Sequence, residues 1–282
     1  MSSSDVEKAK AKSNDALTML FNSSLDKRIT QLVKILSSAA GIDATFCFLG
    51  YGAVLTSAQL QIISQYVAKT ELKARLLSIA LSAKNLGALC SDVRTFLRLW
   101  GLLKLYLGAK AAYLTPPKDT ILKMISWSQL ASMSGYFWYE NGVYLAGKGI
   151  LRGAGFTPAE LGPKMRRAIW LYGLYLVLDF VRLYRLTQLA SADSRPQTKA
   201  SSTSLGGEKD VAVVDEAALA KKAADERAWY KSLYVDLSYF PLCFHWGVEG
   251  GTIPAQWADL VVGALCSCAG YVSFKEQLIN TA

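Results

Sequence analysis

Apolar residues recur at helical spacing in the N-terminal half of the chain. Steps of four and three residues separate the first group, while charged residues occupy the other faces; the group is Leu25, Ile29, Leu32 and Leu36. This spacing predicts an amphipathic helix over residues 25–38. A longer stripe with the same steps predicts one long helical face that ends before two prolines. Its members are Leu72, Leu76, Ile79, Ala83, Leu86, Cys90, Val93, Leu97 and Trp100.

A basic flank runs beside the longer stripe. Four basic side chains fall within roughly an 80° arc on a helical projection; they are Lys73, Lys84, Arg94 and Arg98. A helix of this kind can lie in the headgroup plane, with apolar residues in one leaflet and basic residues on anionic lipid. We therefore predict headgroup contacts for the flank and an apolar wedge of Leu72, Leu76, Ile79, Leu86, Leu97 and Trp100. The alternative is that the stripes pack against one another in a bundle.

Three later stretches are candidate membrane helices, at 124–139, 168–178 and 253–274. Aromatic residues crowd their ends and basic residues bracket the middle one, as membrane interfaces favour. The uncharged segment at 44–68 is ambiguous because glycine and glutamine interrupt it. The alternative is a soluble bundle of amphipathic and core helices. The basic cluster before the middle stretch is a candidate import signal and consists of Lys164, Arg166 and Arg167.

These patterns predict an all-α, membrane-associated protein with N-terminal amphipathic helices and two or more hydrophobic membrane helices. The chain divides into five regions. They are a mobile lead-in (1–23), an amphipathic membrane-remodelling region (24–115), a central hydrophobic helical hairpin (116–190), a flexible linker with a charged helix (191–228) and a C-terminal hydrophobic membrane region (229–282).

Composition and charge narrow the possible partners. Of the 282 residues, 52% are hydrophobic and 19% are charged, against about 25% charged in ordinary soluble domains. The net charge of +9 suits an anionic partner such as a lipid surface. Nucleic acid is disfavoured because the chain has no zinc-finger spacing, RNA-binding motif or dense basic run. The five cysteines form no CxxC pair, which favours a reducing compartment.

Catalytic chemistry is hard to build from this sequence. The single histidine, His245, lies near Cys243, but further metal ligands and an orienting group are missing. We therefore predict no catalytic residue, metal or cofactor. Three carboxylates interrupt apolar stretches, Glu140, Asp179 and Asp259. Such groups are costly in a membrane unless they are paired or face an interior. They indicate either a pore or ion pairs between and within helices, such as Asp179 with Arg182.

Several blocks resemble the peroxin-11 family of peroxisomal membrane proliferation and division proteins, particularly its fungal branch. Their order and spacing carry the resemblance from about residue 24 to the end of the chain. The blocks are Asp26-Lys27-Arg28, RTFLRLWGLLKLY from Arg94, YFWYENGVYL from Tyr136, the aromatic-aliphatic segment from Trp170 to Arg185, and WYKSLYVDLSYFPLCFHWGVEGG from Trp229.

The resemblance implies a non-enzymatic protein of the peroxisomal membrane. It implies elongation of that membrane before fission by amphipathic helix insertion, self-association, recruitment of fission machinery and recognition by a peroxisomal membrane-protein import receptor. Two other functions stay open from the residues themselves. They are a pore or metabolite channel in the same membrane and, less favoured, a lipid-modifying membrane enzyme.

Overall fold

The structure, a computed structural model, describes residues 23–153, 155–193 and 216–281. These ranges contain eight α-helices and no strand, which confirms the predicted all-α class. The predicted lead-in, apart from Ser23, and the linker residues 194–209 lie outside the described residues. The helices are Ser24–Leu36 (α1), Ala39–Gln65 (α2), Thr70–Arg98 (α3), Gly101–Leu114 (α4), Thr120–Gly147 (α5), Pro158–Asp193 (α6), Glu216–Gly247 (α7) and Ala255–Thr281 (α8).

Short polar side chains define where helices begin. The Ser23 hydroxyl accepts a hydrogen bond from the Asp26 backbone N–H and caps α1. Asp119 caps α5 by accepting from the Leu122 N–H at 3.0 Å. It also pairs with Arg185 of α6 at 2.7 Å, and hydrogen bonding to that guanidinium holds the pKa of Asp119 below its usual value. The cap of α5 therefore also joins α5 to α6.

The long stripe predicted across residues 71–100 is not one continuous helix. α3 ends at Arg98 and α4 begins at Gly101, so Trp100 lies in the break between them. A Cβ atom on Gly101 would lie 2.5 Å from the Phe137 ring of α5. The chain therefore turns where this glycine lets α5 approach. α4 ends before the two prolines, as predicted.

α2 forms the centre of a three-helix layer. It packs against α3 on one side and α8 on the other. The backbones approach closely because small residues line both contacts: a Cβ on Gly50 would lie 2.6 Å from the Cys90 Cβ, and a Cβ on Gly270 would lie 2.6 Å from the Phe48 nitrogen. Small residues at such contacts are typical of helix pairs in membranes.

Among the described residues, α2, α3 and α8 are long and apolar enough to cross a membrane, judged by length and composition. α8 contains all but the first two residues of the predicted stretch 253–274, and α2 contains most of the ambiguous stretch 44–68. The other two predicted stretches lie in α5 and α6, where polar and charged residues lower the mean hydropathy. The prediction of two or more hydrophobic membrane helices is confirmed at the level of length and composition.

The remaining helices complete a ring of packed helices around a polar interior. α5 pairs with α6, and α4 packs on α5. α7 lies against both α6 and α8, and α3 touches α5 near its C-terminal end. Six helices therefore contact one another in a ring, in the order α2, α3, α5, α6, α7 and α8, and α8 contacts α2 again. One face of each of these helices is turned toward a shared centre.

The close approach of α2 to α3 predicts opposite effects for two neighbouring glycines. Gly50→Ala places a methyl group against Cys90 and should lower the free energy of unfolding by about 1–2 kcal/mol. Gly52 has nothing within 4 Å of its Cβ position, so Gly52→Ala should be neutral or stabilising by up to about 1 kcal/mol through helix propensity. Thermal unfolding of both variants in detergent, followed by circular dichroism, compares them. Equal midpoints would contradict close packing at Gly50.

Candidate membrane interface

α1 exposes almost its whole apolar face. Ile35 is its one buried residue, and the Gln31 amide donates a hydrogen bond to the Leu278 carbonyl oxygen at the end of α8 (2.8 Å). α1 is therefore attached along one edge, near the start of α2 and the end of α8. Its other apolar side chains are between 39% and 58% exposed. They are Leu25, Ile29, Leu32, Val33 and Leu36.

α3 exposes apolar side chains around most of its circumference. Four residues of the predicted wedge are exposed, Leu72, Ile79, Leu86 and Trp100, and two are half-buried, Leu76 and Leu97. Further exposed side chains lie outside the predicted stripe, at Leu77, Leu81, Leu89 and Phe96. The buried side of α3 consists of Ala80, Gly87 and Cys90. The wedge assignment for α3 stays a prediction.

The predicted basic flank divides into outer and inner groups. Lys73 is exposed, and Lys84 is about half exposed in an ion pair with Asp259 of α8 (2.8 Å). The Arg94 side chain is only 12% exposed and pairs with Asp43 of α2 at 2.9 Å. Arg94 therefore points into the protein.

Arg98 is also held internally. Its Nη2 and Nε atoms donate to the two carboxylate oxygens of Glu140 at 2.8 and 3.0 Å, and the Glu140 side chain is 5% exposed. The Tyr136 hydroxyl donates to Glu140 at 2.6 Å. A headgroup role for Arg94 or Arg98 would require these pairs to open, and the headgroup assignment of the flank stays a prediction.

The two arginines belong to a larger buried group that joins most of the helices. The Tyr136 and Tyr172 rings lie 5.5 Å apart, and the Tyr172 and Tyr239 rings 6.0 Å apart. The Tyr239 hydroxyl lies 3.4 Å from the Cys47 sulfur of α2. We define the central polar cluster as Cys47, Arg94, Arg98, Tyr136, Glu140, Tyr172 and Tyr239.

Each of the three carboxylates that suggested a pore forms an ion pair with a basic residue. Besides the pairs of Glu140 and Asp259, Asp179 accepts from Arg182 at 2.7 Å and from Gln129 of α5 at 2.8 Å. The predicted pair of Asp179 with Arg182 is confirmed. A groove of about 370 Å³ between α4, α5 and α6 is lined by none of the three carboxylates. These groups therefore give no support to a conducting path.

The predicted import signal lies at the start of α6. Lys164 pairs with Glu160 at 3.5 Å and is 14% exposed. Arg166 contacts Glu249 beyond α7 at 3.2 Å, whereas Arg167 is exposed. The cluster is thus near the surface but partly engaged, and its targeting role stays a prediction.

His245 has a structural role at the turn between α7 and α8. Its Nδ1 atom accepts hydrogen bonds from the backbone N–H groups of Thr252 and Ile253 at 3.1 and 3.2 Å. Among the described residues no group of three or more His, Cys, Asp or Glu side chains could hold a metal ion. The histidine that the sequence singled out is therefore used to close a loop.

The chain matches a known protein family over most of its length. The model of the family described as Peroxisomal biogenesis factor 11 (PEX11) matches residues 29–238, which includes α2 to α6 completely and most of α1 and α7. No curated protein and no solved structure matches the chain.

The burial of Glu140 predicts a large effect for a small substitution. Glu140→Gln leaves the Arg98 charge without its counter-ion, and we expect a loss of about 2–4 kcal/mol in the free energy of unfolding. Glu71→Gln is the matched control, because Glu71 forms an exposed pair with Arg75 on α3 and should change stability by less than about 0.5 kcal/mol. Thermal unfolding in detergent measures both. Equal, small changes would contradict a structural role for the Arg98 pair.

Proposed function

We propose that this chain, which belongs to the Peroxisomal biogenesis factor 11 (PEX11) family, elongates the peroxisomal membrane before fission by inserting α1 into one leaflet. The family is peroxisomal and takes part in peroxisome biogenesis. The observation that carries the finer proposal is the exposed apolar face of α1, which has no covering partner among the described residues.

The geometry of α1 supports shallow insertion. On a helical projection its exposed apolar side chains fall within about a 100° arc, while Lys27, Arg28 and Lys34 lie outside it. Such a helix buries its apolar face about 5–10 Å into the boundary between headgroups and acyl chains. Because only one leaflet gains area, the membrane bends.

The position of α1 also favours the membrane surface. Its contacts lie at the first turns of α2 and the last turns of α8, which are both candidate spans. If α2 and α8 cross the bilayer, α1 is held where they leave it. The nearby basic residues can then bind anionic headgroups.

The exposure of its side chains indicates a different role for α3. A helix that exposes apolar side chains on several sides and is long and apolar enough to cross a membrane suits the hydrocarbon interior better than the headgroup plane. We propose that α3 anchors the protein together with α2 and α8 and that Lys73, near its N-terminal end, contacts headgroups, whereas Lys84, near its middle, pairs with Asp259. Self-association, recruitment of fission machinery and binding of an import receptor stay predictions from the family resemblance.

Tubulation of vesicles by the full chain tests the role of α1. In vesicles of phosphatidylcholine and phosphatidylserine, Ile29→Glu should abolish tubules because it places a charge at the centre of the apolar face. Thr30→Glu is the matched control, since Thr30 is exposed on the polar side of the same helix, and it should tubulate like the parent protein. Electron microscopy counts the tubules.

A second variant separates α1 from α3. Ile79→Glu alters an exposed residue of the predicted α3 wedge. Loss of tubulation in Ile79→Glu together with normal tubulation in Ile29→Glu would overturn the assignment to α1. It would place the remodelling activity on α3, provided both proteins insert into the vesicles equally.

Targeting is tested in cells with a fluorescent tag. Replacing Lys164, Arg166 and Arg167 by Gln should move the protein away from peroxisomes, because the import signal loses its charge. Replacing the exposed basic residues Lys221, Lys222 and Arg227 of α7 by Gln is the control. Unchanged peroxisomal location of the first variant would contradict the assignment.

A further inference from the structure

α6 and α7 each expose only apolar side chains over a long stretch. Between residues 168 and 186 the exposed residues of α6 are Trp170, Leu174, Val177, Val181 and Tyr184. Between residues 230 and 248 the exposed residues are Tyr230, Tyr234, Leu237, Pro241, Phe244 and Val248. Both sets follow steps of four and three residues, so each lies on one side of its helix. We call the two sets together the α6–α7 outer face.

The polar residues of the same stretches are turned inward. Asp179 is 3% exposed and binds Arg182 and Gln129. Asp236 of α7 is buried beside it, and Ser238 is also buried. These inward residues lower the mean hydropathy of both helices. No charged residue in either range is fully exposed, and Arg182, Arg185 and Lys231 are half-buried.

The dimensions of the outer face match the hydrocarbon layer. Residues 168–186 cover 18 helical steps and residues 230–247 cover 17, or about 27 and 26 Å, and the hydrocarbon core of a bilayer is about 30 Å thick. A water-soluble helix pair of this length would carry exposed charges along it.

The two ends of the outer face have the composition of membrane interfaces. At one end Arg166 pairs with Glu249, and the Trp170 indole donates to the Gly247 carbonyl at 2.9 Å. At the other end Arg185 pairs with Asp119. There the indole of Trp229 donates to the carbonyl of Leu183 at 3.1 Å. Aromatic and basic residues at both boundaries are typical of helices that cross a bilayer.

We propose that the α6–α7 outer face lies against lipid acyl chains, so that α6 and α7 cross the bilayer beside α8, with their polar residues inside the protein. α7 already packs on α8, a candidate span. The alternative is that a second copy of the chain covers this face. Lipid is favoured because protein interfaces carry about one hydrogen bond per 100–200 Å², whereas the middle of this face offers no side-chain donor or acceptor. The proposal does not depend on the tubulation activity.

Nitroxide accessibility in the full chain tests the proposal. The exposed cysteine, Cys268, is replaced by serine, since the other four are buried. Spin labels are then placed singly by Val177→Cys and Leu237→Cys in the outer face. Leu219→Cys is the matched control, because Leu219 is equally exposed but lies in the charged first part of α7. The proteins are reconstituted in vesicles of phosphatidylcholine and phosphatidylserine.

Collisions of each label with oxygen, which concentrates in hydrocarbon, and with a water-soluble nickel chelate separate the possible occupants. We expect high oxygen and low chelate accessibility at 177 and 237, and severalfold higher chelate accessibility at 219. Low accessibility to both reagents at 177 and 237 would mean that a second copy covers the face. High chelate accessibility would mean that water covers it. Either result would overturn the proposal.

Discussion

The structure depends on pairing charged groups inside a helical protein whose outer surface is largely apolar. Arg94 and Arg98 of α3 enter the interior together, and each needs a carboxylate from another helix, Asp43 or Glu140. An unpaired charge in such a place costs several kcal/mol. The pairs therefore fix how α3 meets α2 and α5. Tyr136 completes the Glu140 site and begins the aromatic contacts that reach α7.

This arrangement determines which side chains are left for the outer surface of the protein. Because polar side chains of α5, α6 and α7 are used inside, the exposed residues of α6 between 168 and 186 and of α7 between 230 and 248 are aliphatic or aromatic. α1 differs from these helices. It makes few contacts with the rest of the protein, and it combines a continuous apolar face with basic residues. A body of packed helices that holds one amphipathic helix at its edge is a physical basis for bending a leaflet.

Local sequence signals predicted much of this. Four predicted features depend only on residues close together in the chain, and the structure contains each of them. They are the apolar stripe at 25–38, the end of α4 before the prolines, the apolar α8 and the pair of Asp179 with Arg182. The family resemblance drew on blocks spread along the chain, and the family match confirms it.

Long-range partners were not accessible to the same reasoning. A helical projection of α3 puts Arg94 and Arg98 on a basic flank, but it cannot show their partners Asp43 and Glu140, which lie 51 and 42 residues away. The break at Trp100 depends on the approach of α5. Averaged hydropathy also hides the α6–α7 outer face, since it counts Asp179 and Arg182 without regard to the side they occupy. The sequence did contain one signal of internal partners for the basic flank. Glu140 and Asp259 are carboxylates isolated in apolar stretches, where a charge needs a partner.

The depth of α1 in a bilayer tests the central claim most directly. A fluorophore attached through Leu32→Cys, in the full chain with Cys268 replaced by serine, can be quenched by lipids brominated at successive acyl positions. Insertion of α1 predicts the strongest quenching from bromines near the headgroups, at a depth of about 5–10 Å, and protection from an aqueous quencher. Quenching by the aqueous reagent alone would contradict the account.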